Sequence, residues 1–232
     1  MRSFVLRAAT IASVACMAFL TACGGGGEVI IYEPDPLPRP QPNPYPYPST
    51  NSCSATGLAA SALSSYSTVC MLTSSGEMVI ELYTAYAPAT VNNFLRQVAD
   101  GFYSNTIVHR VDRDFVMQGG GYVSGQIPLA PRYAPIALES NNGLSNLRGT
   151  LAMARGSDPN SATSQFFINA RDNTSLDYKS SLPGQQGYAV CGRVISGMAT
   201  VDAINTVPVY RYSDVDIRPR TEVLVYWIQR LK

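Results

Sequence analysis

The chain has 232 residues, enough for one sizeable domain with appendages. Its charges are sparse and nearly balanced, 17 basic against 16 acidic, which gives no argument for a nucleic-acid partner. The lone histidine, His109, excludes an HExxH site and any multi-histidine metal centre.

Arg2 and Arg7 introduce an apolar run, Ala8 to Leu20, that is too short to span a bilayer. A basic start, a short apolar core and small residues at its end read as an export signal over residues 1–22. The ending Leu20-Thr21-Ala22-Cys23 resembles the lipobox of bacterial lipoproteins. That resemblance implies cleavage before Cys23, a diacylglycerol on its thiol and an acyl chain such as palmitate on its amine. Several acyl chains hold a protein at a membrane stably, where one does not. Gly24, standing where the family's sorting pattern has Asp, leans toward the outer membrane, with the domain in the periplasm. The alternative is a plain secretory peptide in which Cys23 is incidental. Removal of residues 1–22 leaves 15 basic against 16 acidic residues.

Residues 23–67 read as anchor and linker. Gly24 to Gly27 form a flexible leash, and proline then occupies every even position from Pro34 to Pro48. Eight alternating prolines cannot build a helix or a sheet interior, since each lacks an N–H. Extended at about 3.1 Å per residue, the tract spans roughly 45 Å. It is read as a spacer, with a ligand or substrate segment as the alternative. Asn51 to Ser67 is rich in Ser and Ala and is expected to cover the edge of the following domain, 68–232.

In that domain, Thr68 to Leu72 and Met78 to Tyr83 are strand candidates around a Ser74-Ser75-Gly76-Glu77 turn. Pro88 and Thr90 open a helix to about Ala99, with Val91, Phe94, Leu95 and Val98 on one face. Further strands are expected near Ile107, Phe115 to Gln118, Thr150 to Ala154, Gln165 to Asn169, Tyr188 to Val194 and Glu222 to Ile228. A short helix is expected over Met198 to Ile204. Many strands with two helices point to a mainly β protein, a closed antiparallel barrel without exposed sheet edges. Beyond Cys16 and Cys23, the three remaining cysteines allow at most one internal pair. An exported location permits a disulfide. Cys53 with Cys70 is preferred, because it would pin the Ser-rich extension to the first strand. Cys70 with Cys191 is the alternative, and Cys191 alone reads as a small buried apolar residue.

The richest stretch is Val108 to Gly121, VHRVDRDFVMQGGG. No GxSxG elbow accompanies His109, and the glycine run lacks dinucleotide-fingerprint spacing; it reads as a strand exit needing unusual backbone angles. Period two puts Val116 and Gln118 on one strand face, and Gln165 and Phe167 on one face of Ser164-Gln165-Phe166-Phe167-Ile168. Two readings remain open. Either these faces meet beside Arg110 as an apolar slot with polar rims, or Phe115 and Phe167 are core and the glutamines lie exposed.

The stretch from Gly101 to Gly121, followed by GTLAMAR, SQFFIN and GYAVCGRVISGM, resembles the cyclophilin-type peptidyl-prolyl cis–trans isomerases, notably their bacterial branch, over about Thr68 to Lys232. The resemblance implies an eight-stranded antiparallel barrel capped by two α-helices and an isomerase acting on X-Pro bonds without a cofactor. Its partners would be proline-containing segments of unfolded or partly folded exported proteins, met by a monomer. The family's catalytic arginine falls on Arg110. Its proline pocket falls on Phe115, Val116 (usually Met), Phe167, Leu176 and Tyr188. Its peptide-backbone contacts fall on Gln118, Ala154, Arg155 and Gln165. His109 is then structural rather than a base. Three positions depart from the pattern: Ser175 where the family has Trp or Phe, Val108 for a common Phe, and Tyr188 for the histidine of many eukaryotic members. Ser175 removes the indole that usually helps hold cyclosporin, so weak cyclosporin sensitivity is expected.

Overall fold

The computed structural model describes Pro48 and residues 50–232. The export signal, Cys23 and the Pro-rich tract before Pro48 lie outside the described residues. In chain order the elements are α1 (Ala55–Leu63), β1 (Ser67–Thr73), β2 (Gly76–Leu82), α2 (Pro88–Ala99), β3 (Thr106–Asp112), β4 (Val116–Val123), β5 (Ile127–Pro128), β6 (Thr150–Met153), β7 (Phe166–Asn169), β8 (Val190–Ser196), α3 (Met198–Asn205), β9 (Val209–Arg211), β10 (Ile217–Pro219) and β11 (Val223–Arg230).

Eight strands pair in the order β3-β11-β1-β2-β8-β6-β7-β4, and β4 pairs back onto β3. The sheet thus closes into the expected antiparallel barrel with no free edge. Alternation sorts the side chains. Val69 and Met71 join the interior cluster with Met78, Ile80, Leu151, Phe166 and Ile168, whereas Cys70 between them packs outside with Val79. The β1–β2 turn is tight because Thr73 pairs with Gly76, and the Thr73 hydroxyl both donates to the Gly76 carbonyl and accepts from the Ser75 amide.

The helix after β2 starts at Pro88, where a missing N–H costs nothing, and buries Val91, Phe94 and Val98. Phe94 meets Tyr103 and Phe166 with ring centroids 5.2 and 5.7 Å apart. At the other end of β2, α3 buries Val201 and Ile204 and is tied down by the Thr200 hydroxyl donating to the Glu77 carbonyl. The two helices therefore close opposite mouths of the barrel.

A third helix, α1, was not expected. Its N-terminus is capped by the Ser54 hydroxyl accepting from the Gly57 amide, and Ser54 itself donates twice to the Glu77 carboxylate. It packs through small residues, Gly57 and Ser61, while Leu58 and Leu63 face solvent. No apolar stripe marks it in the sequence. Cys53 is disulfide-bonded to Cys70, which fastens this segment to β1. A linker running to residue 67 is therefore too long: the extension is folded against the barrel from about Thr50. Cys191 is a free, fully buried thiol in the interior cluster, and burial pushes it up to about 12. Replacing both bridged cysteines by alanine should remove about 3 kcal/mol of stability, the closure entropy of a loop of this length, read from urea unfolding. Isomerase activity should be kept, since α1 lies on β1, β2 and β8, away from β4 and β7.

Candidate active site

The site lies on the outer wall of the barrel, where β3, β4, β7 and β6 run side by side. On β4, Met117 points into the core, so Val116 and Gln118 point outward. On β7, Phe166 and Ile168 point in and Phe167 out. Register then assembles them: Gln118 lies opposite both Arg110 of β3 and Phe167 of β7, and Phe167 opposite Ala152 of β6. The resulting cavity, about 150 Å³, is lined by Arg110, Phe115, Val116, Gln118, Ala154, Arg155, Phe167, Leu176 and Tyr188. Of the ten positions on which the resemblance places the catalytic arginine, the proline pocket and the backbone contacts, only Gln165 does not line it. Gln165 instead accepts a 2.8 Å hydrogen bond from Gln118 Nε2 and fixes that amide at the rim.

Of the two readings left open by patterning, the slot is the one the fold adopts. The floor adds Ala152 and Val190, with Leu144 at the side. Period two could have found the first two, since Ala152 precedes Ala154 and Val190 follows Tyr188 by two residues. Tyr188 meets Phe167 edge-on at 5.5 Å. The Arg155 guanidinium stacks over Tyr188 and donates to the Gly187 carbonyl from Nε and Nη2, at 3.1 and 3.0 Å. The Ala154 amide is already taken by the Gln165 carbonyl. Ser175 lies outside the slot, in an adjoining depression on the Leu176 side.

Arg110 is the one cation held over the slot from β3. Its Nη2 donates to Asp112 at 3.0 Å, and Asp112 also accepts from Arg211 at 3.2 Å. Two residues apart on a strand, Arg110 and Asp112 share a face, a signal that the HRVD sequence carries. Arg110 Nε is buried and finds no partner among the described residues, and Cζ stands 5.8 Å from the Phe115 ring. His109 points elsewhere, its ring 4.5 Å from that of Tyr122. Burial first, and the neighbouring Arg110 charge second, lower its pKa to about 4. It is a neutral side chain near pH 7.

Three buried asparagines hold the slot's loops. Asn173 donates to the Phe115 carbonyl and to Asn169; Asn169 donates to Thr150 and Asn146; Asn146 donates to the Leu176 carbonyl and to Asp177. Phe115 and Leu176, on separate loops, are thereby set from one network. The glycine run is not a strand exit, as the sequence suggested, but lies inside β4. Only Gly120 has a positive φ, +79°, and a Cβ there would stand 2.7 Å from the Ser164 carbonyl oxygen. One at Gly121 would stand 2.6 Å from Gln165. The glycines let β4 approach the Ser164–Gln165 segment closely enough for the Gln118–Gln165 pair to form.

The slot is apolar with amide rims and two guanidiniums, Arg110 and Arg155, and among the described residues no serine, threonine or cysteine lines it. The family model described as cyclophilin type peptidyl-prolyl cis-trans isomerase/CLD matches residues 68–226. Among curated relatives, peptidyl-prolyl cis-trans isomerase cyp18 of Streptomyces antibioticus is 48% identical over 156 residues, covering 66% of this chain and 93% of that protein. Peptidyl-prolyl cis-trans isomerase B of Escherichia coli is 44% identical, again over 66% of this chain and 93% of the relative. A crystal structure of a cyclophilin-type isomerase of Cryptosporidium parvum, determined in the presence of the dipeptide Ala-Pro, aligns with a TM-score of 0.55 at 31% identity, covering 70% of this chain and 98% of that one. The chain belongs to the cyclophilin-type peptidyl-prolyl cis–trans isomerases.

Proposed function

We propose that the chain isomerises X-Pro bonds in unfolded or partly folded exported proteins at the bacterial cell envelope, held by a lipid on Cys23 with its domain in the periplasm. The observation that carries the catalytic part is the placement of Arg110 beside an apolar slot, with a buried Nε that the protein leaves unpaired among the described residues. Rotation about a peptide bond faces a barrier of roughly 18–20 kcal/mol from amide resonance. As the bond twists, the prolyl nitrogen regains its lone pair. Arg110 donates to that nitrogen or to the neighbouring carbonyl oxygen, and so favours the twisted amide over both planar isomers. Phe115, Val116, Phe167, Leu176 and Tyr188 hold the pyrrolidine ring while the other side of the bond turns. Gln118, its Nε2 engaged with Gln165, keeps its carbonyl oxygen for a peptide N–H. The Ala-Pro dipeptide used with the Cryptosporidium relative supports the choice of ligand.

The envelope part is supported by the lipobox-like Leu20 to Cys23 and by the Cys53–Cys70 disulfide, a bond that persists in oxidising compartments. Metabolic labelling with palmitate tests it. The full chain should be labelled and sediment with membranes, and a Cys23→Ala variant should be unlabelled and released while still isomerising an Ala-Pro peptide. An unlabelled, soluble wild-type chain would refute the anchor. Peptide binding without acceleration of exchange would shift the reading to a non-catalytic peptide-binding or chaperone module using the same groove.

A further inference from the structure

A second cavity, about 390 Å³, adjoins the slot across Arg110 and Gln118, which line both. Its far wall comes from the β9–β10 hairpin, which supplies Val215, Asp216 and Arg218; His109, Tyr122, Gln126 and Gln165 complete it. None of these residues is needed to hold a proline ring. Arg218 is set in place: Nε and Nη2 grip Asp216 side-on at 2.6 and 2.7 Å, and Cζ stands 5.0 Å from the Tyr212 ring. Two cations to one anion line the cavity, Arg110 and Arg218 against Asp216. Including the Asp112 and Arg211 that extend the network leaves three arginines to two aspartates. His109, nine-tenths buried, and Arg110 both line the cavity, and each has a buried nitrogen, Nδ1 and Nε, with no partner among the described residues. A wall with two guanidiniums to one carboxylate suits an acceptor that carries negative charge.

We propose that this cavity is a specificity subsite that takes an aspartate or glutamate side chain of the same peptide whose proline fills the slot, with Arg218 as the residue that selects it. The proposal rests on the isomerase reading of the slot. A peptide lying across Arg110 and Gln118, which line both cavities, meets both. The selection acts on binding: it lowers KM for acidic peptides rather than raising kcat, because the carboxylate is remote from the rotating bond.

The test is an NMR exchange measurement on the full chain with proline peptides carrying Glu, Gln or Lys in turn at each of three positions before and after the proline. At one or two positions Glu should exceed Lys in kcat/KM by about fivefold, the yield of a partly exposed ion pair, and the gap should narrow in high salt. The Arg218→Gln variant should lose the preference and Arg218→Glu should reverse it. Asp216→Asn, which frees Arg218, should widen it and serves if the Arg218 variants fold poorly. Equal rates for Glu, Gln and Lys at every position, or a preference untouched by Arg218→Gln, would overturn the subsite while leaving the isomerase intact. No acceleration with any peptide would instead overturn the reading of the slot itself.

Discussion

Arg110→Ala should lower kcat/KM on an Ala-Pro peptide about 100- to 1000-fold, the loss expected if it is one preorganised donor to a transition-state charge. The fold should survive, because the substitution removes no core side chain and leaves Asp112 its second partner, Arg211. Arg110→Lys should not restore the rate. An ammonium cannot bond Asp112 with one nitrogen and present a second, fixed donor to the slot, as the planar guanidinium does. NMR exchange spectroscopy gives the rate and near-UV circular dichroism checks the fold. Wild-type activity in the folded alanine variant would take Arg110 out of the mechanism.

His109 gives the second large effect, on stability. Its pKa is about 4 in the folded protein, against about 6.5 in an unfolded chain. Between those values the unfolded chain takes up a proton that the folded protein refuses. Stability from this residue is therefore fully present above pH 6.5, falls as the pH falls, and is lost near pH 4, by about 3 kcal/mol. The carboxylates also titrate in acid, so the measurement is a difference. Urea unfolding of the wild type and of His109→Gln at pH 7 and pH 4 should show the wild type losing about 3 kcal/mol more than the variant. Parallel losses would mean that the folded imidazole titrates normally. Because Arg110 is the second cause of the depression, the acid penalty should shrink in the Arg110→Ala protein.

The contrast between what was and was not legible in the sequence follows from periodicity. The barrel strands were legible because each half-buried strand alternates, and the same alternation put Val116 with Gln118 and Gln165 with Phe167. Patterning could not decide whether that outward face was exposed or a slot, since this depends on strands distant in sequence: β6 and β7 bring Ala152 and Phe167 to β4. Helix α1 was illegible because it packs by smallness rather than by an apolar stripe. The β9–β10 hairpin was missed because its three-residue strands are partly exposed and rich in arginine, tyrosine and proline. With it went the second cavity, whose wall joins residues about a hundred positions apart. The unusual backbone angle expected of the glycine run is present at Gly120, but the run lies inside β4 rather than at a strand exit, where crowding by Ser164 and Gln165 also demands glycine.

The Cys53–Cys70 bond also sets how the molecule carries a mechanical load. Tension arriving along the chain from the N-terminal side first meets Trp227 Nε1 bound to the Thr50 carbonyl and Gln229 Nε2 bound to that of Asn51, and then Cys53. There it crosses through sulfur directly into β1, bypassing the 17-residue span that holds α1. In the oxidised protein that span is slack that force cannot draw out. In the reduced protein α1 would peel away first and lengthen the connection by up to about 60 Å before the barrel yields.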